Sequence, residues 1–337
     1  MTEIVLAVDG GNSKTDLALV ESTGALLGLA RGPQSSPHHL GLDGCLSVLG
    51  SLLDEAASDA GLRSDNGAVA DVGELLLAGV DFPTEEQQVE DAVRARPWAR
   101  RVSVRNDTFA VLRAGTERGW GVAVVCGAGI NCVGVAPDGR HARFPSLGAI
   151  TGDWGGGYDV GLEALSAAAR SEDGRGPKTA LERSVPAHFG LETPTELAEA
   201  IHAGRIPQRR VIELAPLVLA EAAADPVARA LVDRLVDEVA AMARVAVTRL
   251  DLEQEPIEVL VGGGLLQSAA DGLLASIEGV LRETGPAITV RSTGSPAIVG
   301  AALLGLDRLG TSADAQTRLR REVGAAVERL EEGSEDG

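Results

Sequence analysis

Residues 4–20 read IVLAVDGGNSKTDLALV, two apolar runs (Ile4 to Val8 and Leu17 to Val20) flanking Asp9-Gly10-Gly11-Asn12-Ser13-Lys14-Thr15. A glycine pair between apolar runs marks a chain reversal, so the stretch is predicted to be a β-hairpin with a polar tip. Glycine has no Cβ and accepts positive φ, which lets backbone N–H groups converge on an anion, and Ser13, Lys14 and Thr15 add side-chain donors. The tip is therefore a candidate phosphate cradle. A Walker A loop needs G-x-x-x-x-G-K-[ST] before a helix and a dinucleotide fingerprint needs G-x-G-x-x-G before a helix; a β-like run follows here, and neither pattern is met. Taken alone, the stretch is explained equally well by an ordinary tight hairpin.

The chain of 337 residues is long enough for two domains with their own cores. Hydrophobic residues make up 45% but aromatics only 2%, so the cores must be built from Leu, Val, Ala and Ile, and no aromatic platform for single-stranded nucleic acid exists. A net charge of -19 repels phosphate backbones and anionic membranes, so neither nucleic acid nor membrane is expected as a partner. A phosphate-bearing ligand must then be held by a local site or a metal ion. Lysine occurs only at Lys14 and Lys178. Cys45, Cys126 and Cys132 contain no C-x-x-C spacing, which argues against a disulfide framework or zinc site and suits a reducing cytosol. No signal peptide precedes the first apolar run, so a cytoplasmic location is expected. The uncharged stretch 119–137 approaches the length of a membrane span, but its glycines and Asn131 suit a buried hairpin better.

After the hairpin comes a third apolar run, Leu26 to Ala30, and a polar loop, Ser35-Ser36-Pro37-His38-His39. From Leu42 to Ala60 apolar residues recur at helical spacing. Val72 to Ala78 is predicted as a strand ending at Gly79-Val80-Asp81, residues 83–96 as a helix opened by Pro83, Val102 to Val104 as a strand stopping at Asn106-Asp107, and Thr108 to Arg113 as a helix. The same order restarts at Gly121, with two strands around Gly127-Ala128-Gly129-Ile130-Asn131, a third run at Ala142 to Phe144, and then Gly152-Asp153-Trp154-Gly155-Gly156-Gly157. Residues 160–250 are helical in pattern, with Pro186, Pro194, Pro207 and Pro226 as breaks. A strand at Ile257 to Val261 runs into Gly262-Gly263-Gly264, and helix, strand (Ile288 to Arg291) and helix follow. The tail from Thr311 is expected to be a solvated helix with a loose acidic end.

Two copies of a βββαβαβα unit, each opened by a glycine-tipped hairpin, predict two lobes whose tips meet across a cleft. The first lobe is expected at residues 1–116 and the second at 117–337, with a helical insertion at about 160–250 and the last helices free to return to the first lobe.

DGGNSKT at 9–15, ND at 106–107, GAGIN at 127–131, GDWGGG at 152–157 and VGGGL at 261–265 together resemble the BadF/BadG/BcrA/BcrD ATPase family of the actin, sugar kinase and Hsp70 superfamily, over nearly the whole chain. Within that family the chain is most similar to the N-acetylglucosamine kinases. The resemblance implies an α/β, two-lobed actin-like sugar kinase fold, a duplicated RNase H-like unit with a helical insertion in the second lobe. It implies phosphorylation of an amino sugar with ATP and Mg²⁺ as cofactors, and leaves a homodimer open.

By the same resemblance, Asp107 is the catalytic base for the sugar hydroxyl and Asp9 the magnesium ligand through water. Gly10, Gly11, Asn12, Ser13, Lys14 and Thr15, with Gly127 and Gly129, hold the phosphates, and Gly262, Gly263 and Gly264 lie against adenosine. Ser36, Asp81, Asn131, Gly148 and Asp153 contact the sugar together with Asp107. Simpler roles exist for three of these: Asp9 as a turn aspartate, Asn106 or Asp107 as the N-cap of the helix at Thr108, and Asp81, with Gly79, as part of an equally plausible structural turn. Two departures bear on the acceptor: Trp154 stands where the family has Glu, and the loop at Ser35-Ser36 lacks the family's asparagine. The iron–sulfur activators of the same family need cluster cysteines, and Cys126 and Cys132 are expected to point into the lobe instead. Glucosamine, another hexose derivative, or a non-catalytic ATP- and sugar-binding regulator remain as alternatives.

Overall fold

The computed structural model describes residues 2–62, 67–267, 271–285 and 287–335. Strands β1 (Ile4–Gly10), β2 (Lys14–Glu21), β3 (Leu26–Pro33), β4 (Ala70–Leu77) and β5 (Ala99–Asn106) form a five-stranded sheet in the order β3-β2-β1-β4-β5. The first three are antiparallel, whereas β4 and β5 run parallel to β1. Parallel pairing requires long crossovers, supplied by α1 (Pro37–Asp59) before β4 and α2 (Pro83–Arg94) before β5; α3 (Thr108–Gly115) follows β5.

Strands β6 (Gly121–Cys126), β7 (Ile130–Val135), β8 (His141–Arg143), β9 (Glu258–Gly262) and β10 (Thr289–Ser292) form a second sheet, ordered β10-β9-β6-β7-β8. Its wiring repeats the first: a central opening strand, an antiparallel pair on one side and parallel strands on the other. Five helices intervene between β8 and β9: α4 (Gly156–Glu172), α5 (Leu181–His188), α6 (Pro194–His202), α7 (Ala215–Glu221) and α8 (Pro226–Arg249). They are the expected helical insertion. Pro194 and Pro226 each open a helix behind a side-chain cap, Thr193 accepting from the Glu196 N–H and Asp225 from those of Val227 and Ala228. Pro186 does not break the chain as expected but lies inside α5 near its end. The remaining helices are α9 (Gly264–Gln267), α10 (Asp271–Leu281), α11 (Ala297–Leu309) and α12 (Ala313–Glu335).

The chain divides into two compact units, Met1–Trp120 with Thr293–Gly337, and Gly121–Ser292. The first thus takes in α11 and α12. One face of its sheet packs on α1 and α2 through Leu6, Leu17, Leu19, Leu49, Leu53, Leu75 and Val89. Helix α11 packs against β1 and α3, and it comes so close to α3 that a Cβ on Gly300 would lie 1.9 Å from the Ala110 carbonyl oxygen. Only glycine fits there.

Two sequence expectations are corrected here. Helix α1 starts at Pro37, so His38 and His39 sit in its first turn, with a kink at Gly41, while Ser35 and Ser36 before it are fully buried. The tail is not a solvated helix. Helix α12 buries Ala315, Leu319, Val323 and Val327, its Arg320 donates to the carbonyls of Ala114 (2.6 Å) and Thr116 (3.0 Å), and its Glu322 accepts from the Leu26 N–H at 3.0 Å. Apolar residues every three or four positions give the helix one buried stripe despite its high charge.

Because Leu319 is fully buried, Leu319→Ala should cost about 2–5 kcal/mol by cavity formation. Urea unfolding of this variant checks it; a loss below about 0.5 kcal/mol, the range of ordinary surface changes, would mean that α12 is not docked.

Candidate active site

In the first unit the parallel strands end side by side. Asp9 pairs in register with Leu76, Leu76 with Arg105, and Leu77 with Asn106. This brings Asp9, Gly10, the turn after β4 and Asn106-Asp107 to one carboxyl-terminal edge, where ligands bind in α/β sheets.

Asn106 settles which residue caps α3. Its Oδ1 accepts from the Thr108 N–H at 3.0 Å and the Thr108 hydroxyl at 2.6 Å, while its Nδ2 donates to Asp81 Oδ1 at 2.9 Å. The Asp107 side chain makes no capping bond. Asp81 is fixed in turn by Glu85, whose Oε2 accepts from the backbone N–H groups of Asp81 (2.8 Å) and Phe82 (3.0 Å).

The two principal carboxylates are electrostatically frustrated. Burial, then the charge of Asp81, pushes Asp107 up to about 6, with the backbone N–H groups of Thr108 and Asp107 pulling the other way. Burial, then the charges of Asp107 and Asp16, pushes Asp9 up to about 8, and Lys14 and Arg31 offset only part of this. Arg31 is already committed to Asp16, donating from Nε and Nη2 at 2.6 and 2.8 Å. Among the described residues no three His, Cys, Asp or Glu side chains form a ready-made metal cage. One carboxylate lacking a cationic partner nevertheless fits Mg²⁺, which keeps most of its waters and uses one or two protein carboxylates.

The tip closes with the Gly11 N–H donating to the Lys14 carbonyl at 2.9 Å. Asn12, Ser13 and Lys14 are exposed there, but Thr15 turns inward and its hydroxyl donates to Ser35 Oγ at 2.8 Å. The Ser36 hydroxyl is buried with no hydrogen-bond partner among the described residues, and a Cβ on Gly79 would lie 2.4 Å from it. Such an orphaned group calls for a missing partner.

In the second unit the β6–β7 tip is braced by the start of α4. The Gly157 and Tyr158 N–H groups donate to the Gly127 and Ala128 carbonyls at 2.8 and 2.9 Å, and Gly156, at φ 77°, passes so close that a Cβ would meet the Gly129 backbone at 2.4 Å. Side-chain positions at Gly127, Gly129 and Gly264 would face open space, whereas Gly263 lies against the Cys126 carbonyl and Gly262 is buried at the end of β9. Asn131 Oδ1 accepts from the Cys132 N–H and from Ser146 Oγ, both at 2.7 Å. Ser146 holds φ 52°, uncommon for a residue with a side chain. Asp153 accepts from the Gly148 N–H at 2.8 Å and is bonded by the Thr151 hydroxyl. Beside it the Arg234 guanidinium lies 3.9 Å from the centre of the Trp154 ring.

The structure thus groups Asp9, Asp81 and Asp107 in one unit and Asn131, Gly148 and Asp153 in the other. Sequence reasoning missed Glu85, Asp16, Ser146 and Arg234. Glu85 carries a signal, standing three residues after the helix-start position as in a capping box; Arg234, on α8, carries none. Cys45, Cys126 and Cys132 are buried free thiols, pushed up by burial, Cys126 to about 12. Among the described residues no helix is long and apolar enough to cross a membrane.

The sequence model of the BadF/BadG/BcrA/BcrD ATPase family matches residues 6–305. The N-acetylmuramic acid/N-acetylglucosamine kinase of Clostridium acetobutylicum is 27% identical over 266 residues, 78% of this chain and 86% of that protein. The N-acetyl-D-glucosamine kinase of Dictyostelium discoideum is 24% identical over 330 residues, 90% of this chain and 98% of that protein. A Chromobacterium violaceum structure, provisionally described as an N-acetylglucosamine kinase, superposes with TM-score 0.70 at 28% identity, covering 90% of this chain and 98% of the other. The fold is that of the two-lobed α/β sugar kinases.

The frustration at Asp9 has a measurable sign. A carboxyl raised from 3.8 to about 8 stabilises the fold fully below its unfolded value and loses that contribution as pH rises toward 8. Asp9→Asn, neutral at every pH, should therefore melt higher than the parent at pH 8 and like it near pH 4, in the absence of ligand. Melting curves across that range check this, and a pH-independent difference would contradict it.

Proposed function

The chain belongs to the BadF/BadG/BcrA/BcrD ATPase family, and on that premise we propose that it moves the γ-phosphoryl group of ATP to a hydroxyl of an amino sugar, first of all the 6-hydroxyl of N-acetylglucosamine. The observation that carries this reading is Asp107: Asn106 takes over the capping of α3, and the Asp107 carboxyl, raised to about 6, makes no capping bond. A base with that pKa is mostly ionised at neutral pH yet keeps more affinity for a proton than an ordinary aspartate. The names of both curated relatives and of the Chromobacterium structure support the acceptor.

In the proposed reaction the sugar oxygen attacks the γ-phosphorus as its proton passes to the Asp107 carboxylate. The new O–P bond forms, the bond from the γ-phosphorus to the β–γ bridging oxygen breaks, and ADP leaves. Asn12, Ser13 and Lys14 offer donors to the phosphates, Gly10 and Gly11 form the turn that carries them, Gly127 and Gly129 leave open space for the phosphates at the second tip, and Gly262 to Gly264 lie along the adenosine. Thr15 supports the tip from within through Ser35. Asp9 would hold Mg²⁺ through water, and the ion would supply positive charge against the phosphate oxygens. Asp81, Asn131, Gly148 and Asp153 take the sugar's polar groups, and the unpartnered hydroxyl of Ser36 takes one more. Trp154, clamped by Arg234, offers an apolar face where the family carries a carboxylate. Three unpaired thiols accord with a cytoplasmic location.

Asp107→Asn should stay folded, melting no lower than the parent at neutral pH because the raised carboxyl is gone, and lose about 10²–10⁴-fold in kcat, the usual contribution of a positioned base. A coupled ADP assay with ATP, Mg²⁺ and a panel containing N-acetylglucosamine, glucosamine and other hexose derivatives measures both the loss and the acceptor. Full turnover in the variant would remove Asp107 from the chemistry. Sugar-dependent thermal stabilisation without ADP release from any acceptor would favour the non-catalytic regulator instead.

A further inference from the structure

Helix α12 ends on the hairpin tip. Glu331 Oε1 lies 3.1 Å from Lys14 Nζ and 3.5 Å from Arg31 Nη1. The helix is held independently of that contact by its buried stripe of Leu319, Val323 and Val327, by Arg320 on the carbonyls of Ala114 and Thr116, and by Glu322 on the Leu26 N–H. Its carboxyl end is thus delivered to the tip by a docked element. The family model ends at residue 305, so α12 lies beyond the span that this chain shares with that model.

The contact matters because of what it occupies. Lysine appears at only two positions in a chain of net charge -19, and one of them is Lys14. Arg31, the neighbouring cation, is already held by Asp16 through two hydrogen bonds. Lys14 is therefore the cation at the tip most available to a phosphate, and Glu331 sets a carboxylate against it as an anionic ligand would. The side chains of Lys14 and Glu331 are 53% and 55% exposed, so their ion pair is weak and exchangeable.

We propose that Glu331 is an internal competitor for the nucleotide: its carboxylate occupies Lys14 when the site is empty and must be displaced when the phosphates of ATP arrive. This rests on the reading of the β1–β2 tip as a phosphate site. A carboxylate that merely held Lys14 in a productive pose would have the opposite effect, since its loss would weaken ATP binding.

The test is the dissociation constant for ATP with Mg²⁺, measured calorimetrically at low and high salt on the full chain and its variants. Glu331→Gln should bind ATP roughly two- to fivefold more tightly at low salt, the scale of an exposed ion pair, with the gain shrinking as salt rises. A chain cut after Leu330, which keeps the anchoring stripe of α12, should gain at least as much. Lys14→Gln should bind more weakly, and adding Glu331→Gln to it should gain less than the same change gains in the parent. Unchanged or weakened binding in both Glu331→Gln and the shortened chain overturns the proposal while the response of Lys14→Gln upholds the phosphate site. Unchanged binding in Lys14→Gln overturns the phosphate site, and the competition with it.

Discussion

Three parallel strands that end level with one another impose the constraint on which the first unit's chemistry depends. Because β1, β4 and β5 stop at Gly10, Leu77 and Asn106 in mutual register, the residues at their ends are brought together whatever their charges. Those residues include Asp9, Asp81 and Asp107. Withdrawal from water and, after it, the like charges of neighbouring carboxylates disfavour ionisation, which is why Asp107 and Asp9 rise to about 6 and about 8. A sheet optimised for stability alone would not place them there.

The surroundings contain part of that cost by committing nearby polar groups to one another, the Ser36 hydroxyl excepted. Asn106 spends its amide on Asp81 and the start of α3, Glu85 secures the turn that carries Asp81, and Arg31 clamps Asp16. Asp9 and Asp107 remain as the groups whose charge these arrangements offset only in part. The second unit shows the same economy around Asp153, whose carboxylate is oriented by Gly148 and Thr151, and around Asn131, oriented by Ser146. In both units the supporting bonds fix orientation, so a ligand would meet side chains already posed.

The sequence made the duplicated strand order legible because alternation of apolar runs with glycine tips is a local signal; four of the five motifs fell on tips and strand ends, and GDWGGG fell in the turn leading into α4. What stayed hidden was decided by contacts distant in the chain. Ser35 and Ser36 look like loop residues by composition, yet the Thr15 hydroxyl and the start of α1 enclose them. Whether Asn106 or Asp107 caps α3 is undecidable from two adjacent capping residues and is settled by Asp81 drawing the Asn106 amide. Arg234 stands 80 positions from Trp154, and no spacing rule links them. The tail was misjudged because its charge masks a short stripe of five residues, Ala315, Leu319, Val323, Ala326 and Val327, which is enough to dock a helix.

The overall charge sharpens the role of each local cation. In a chain with 49 acidic against 30 basic side chains, the long-range field opposes any phosphate that approaches. Under the proposed reaction, association with ATP would then depend on short-range donors and on the positive charge that a metal ion brings with the nucleotide. At the first tip the donors proposed for that task are backbone N–H groups, the exposed Asn12 and Ser13, and one lysine whose partner is a glutamate from the far end of the chain. Under the proposed reaction an acidic protein built in this way would discriminate by ionic form: free ATP would meet the full repulsion, whereas magnesium-bound ATP would arrive with part of its charge cancelled and with an ion that the crowded carboxylate of Asp9 is suited to receive. The same crowding that destabilises the empty site becomes an attraction when a divalent cation enters it.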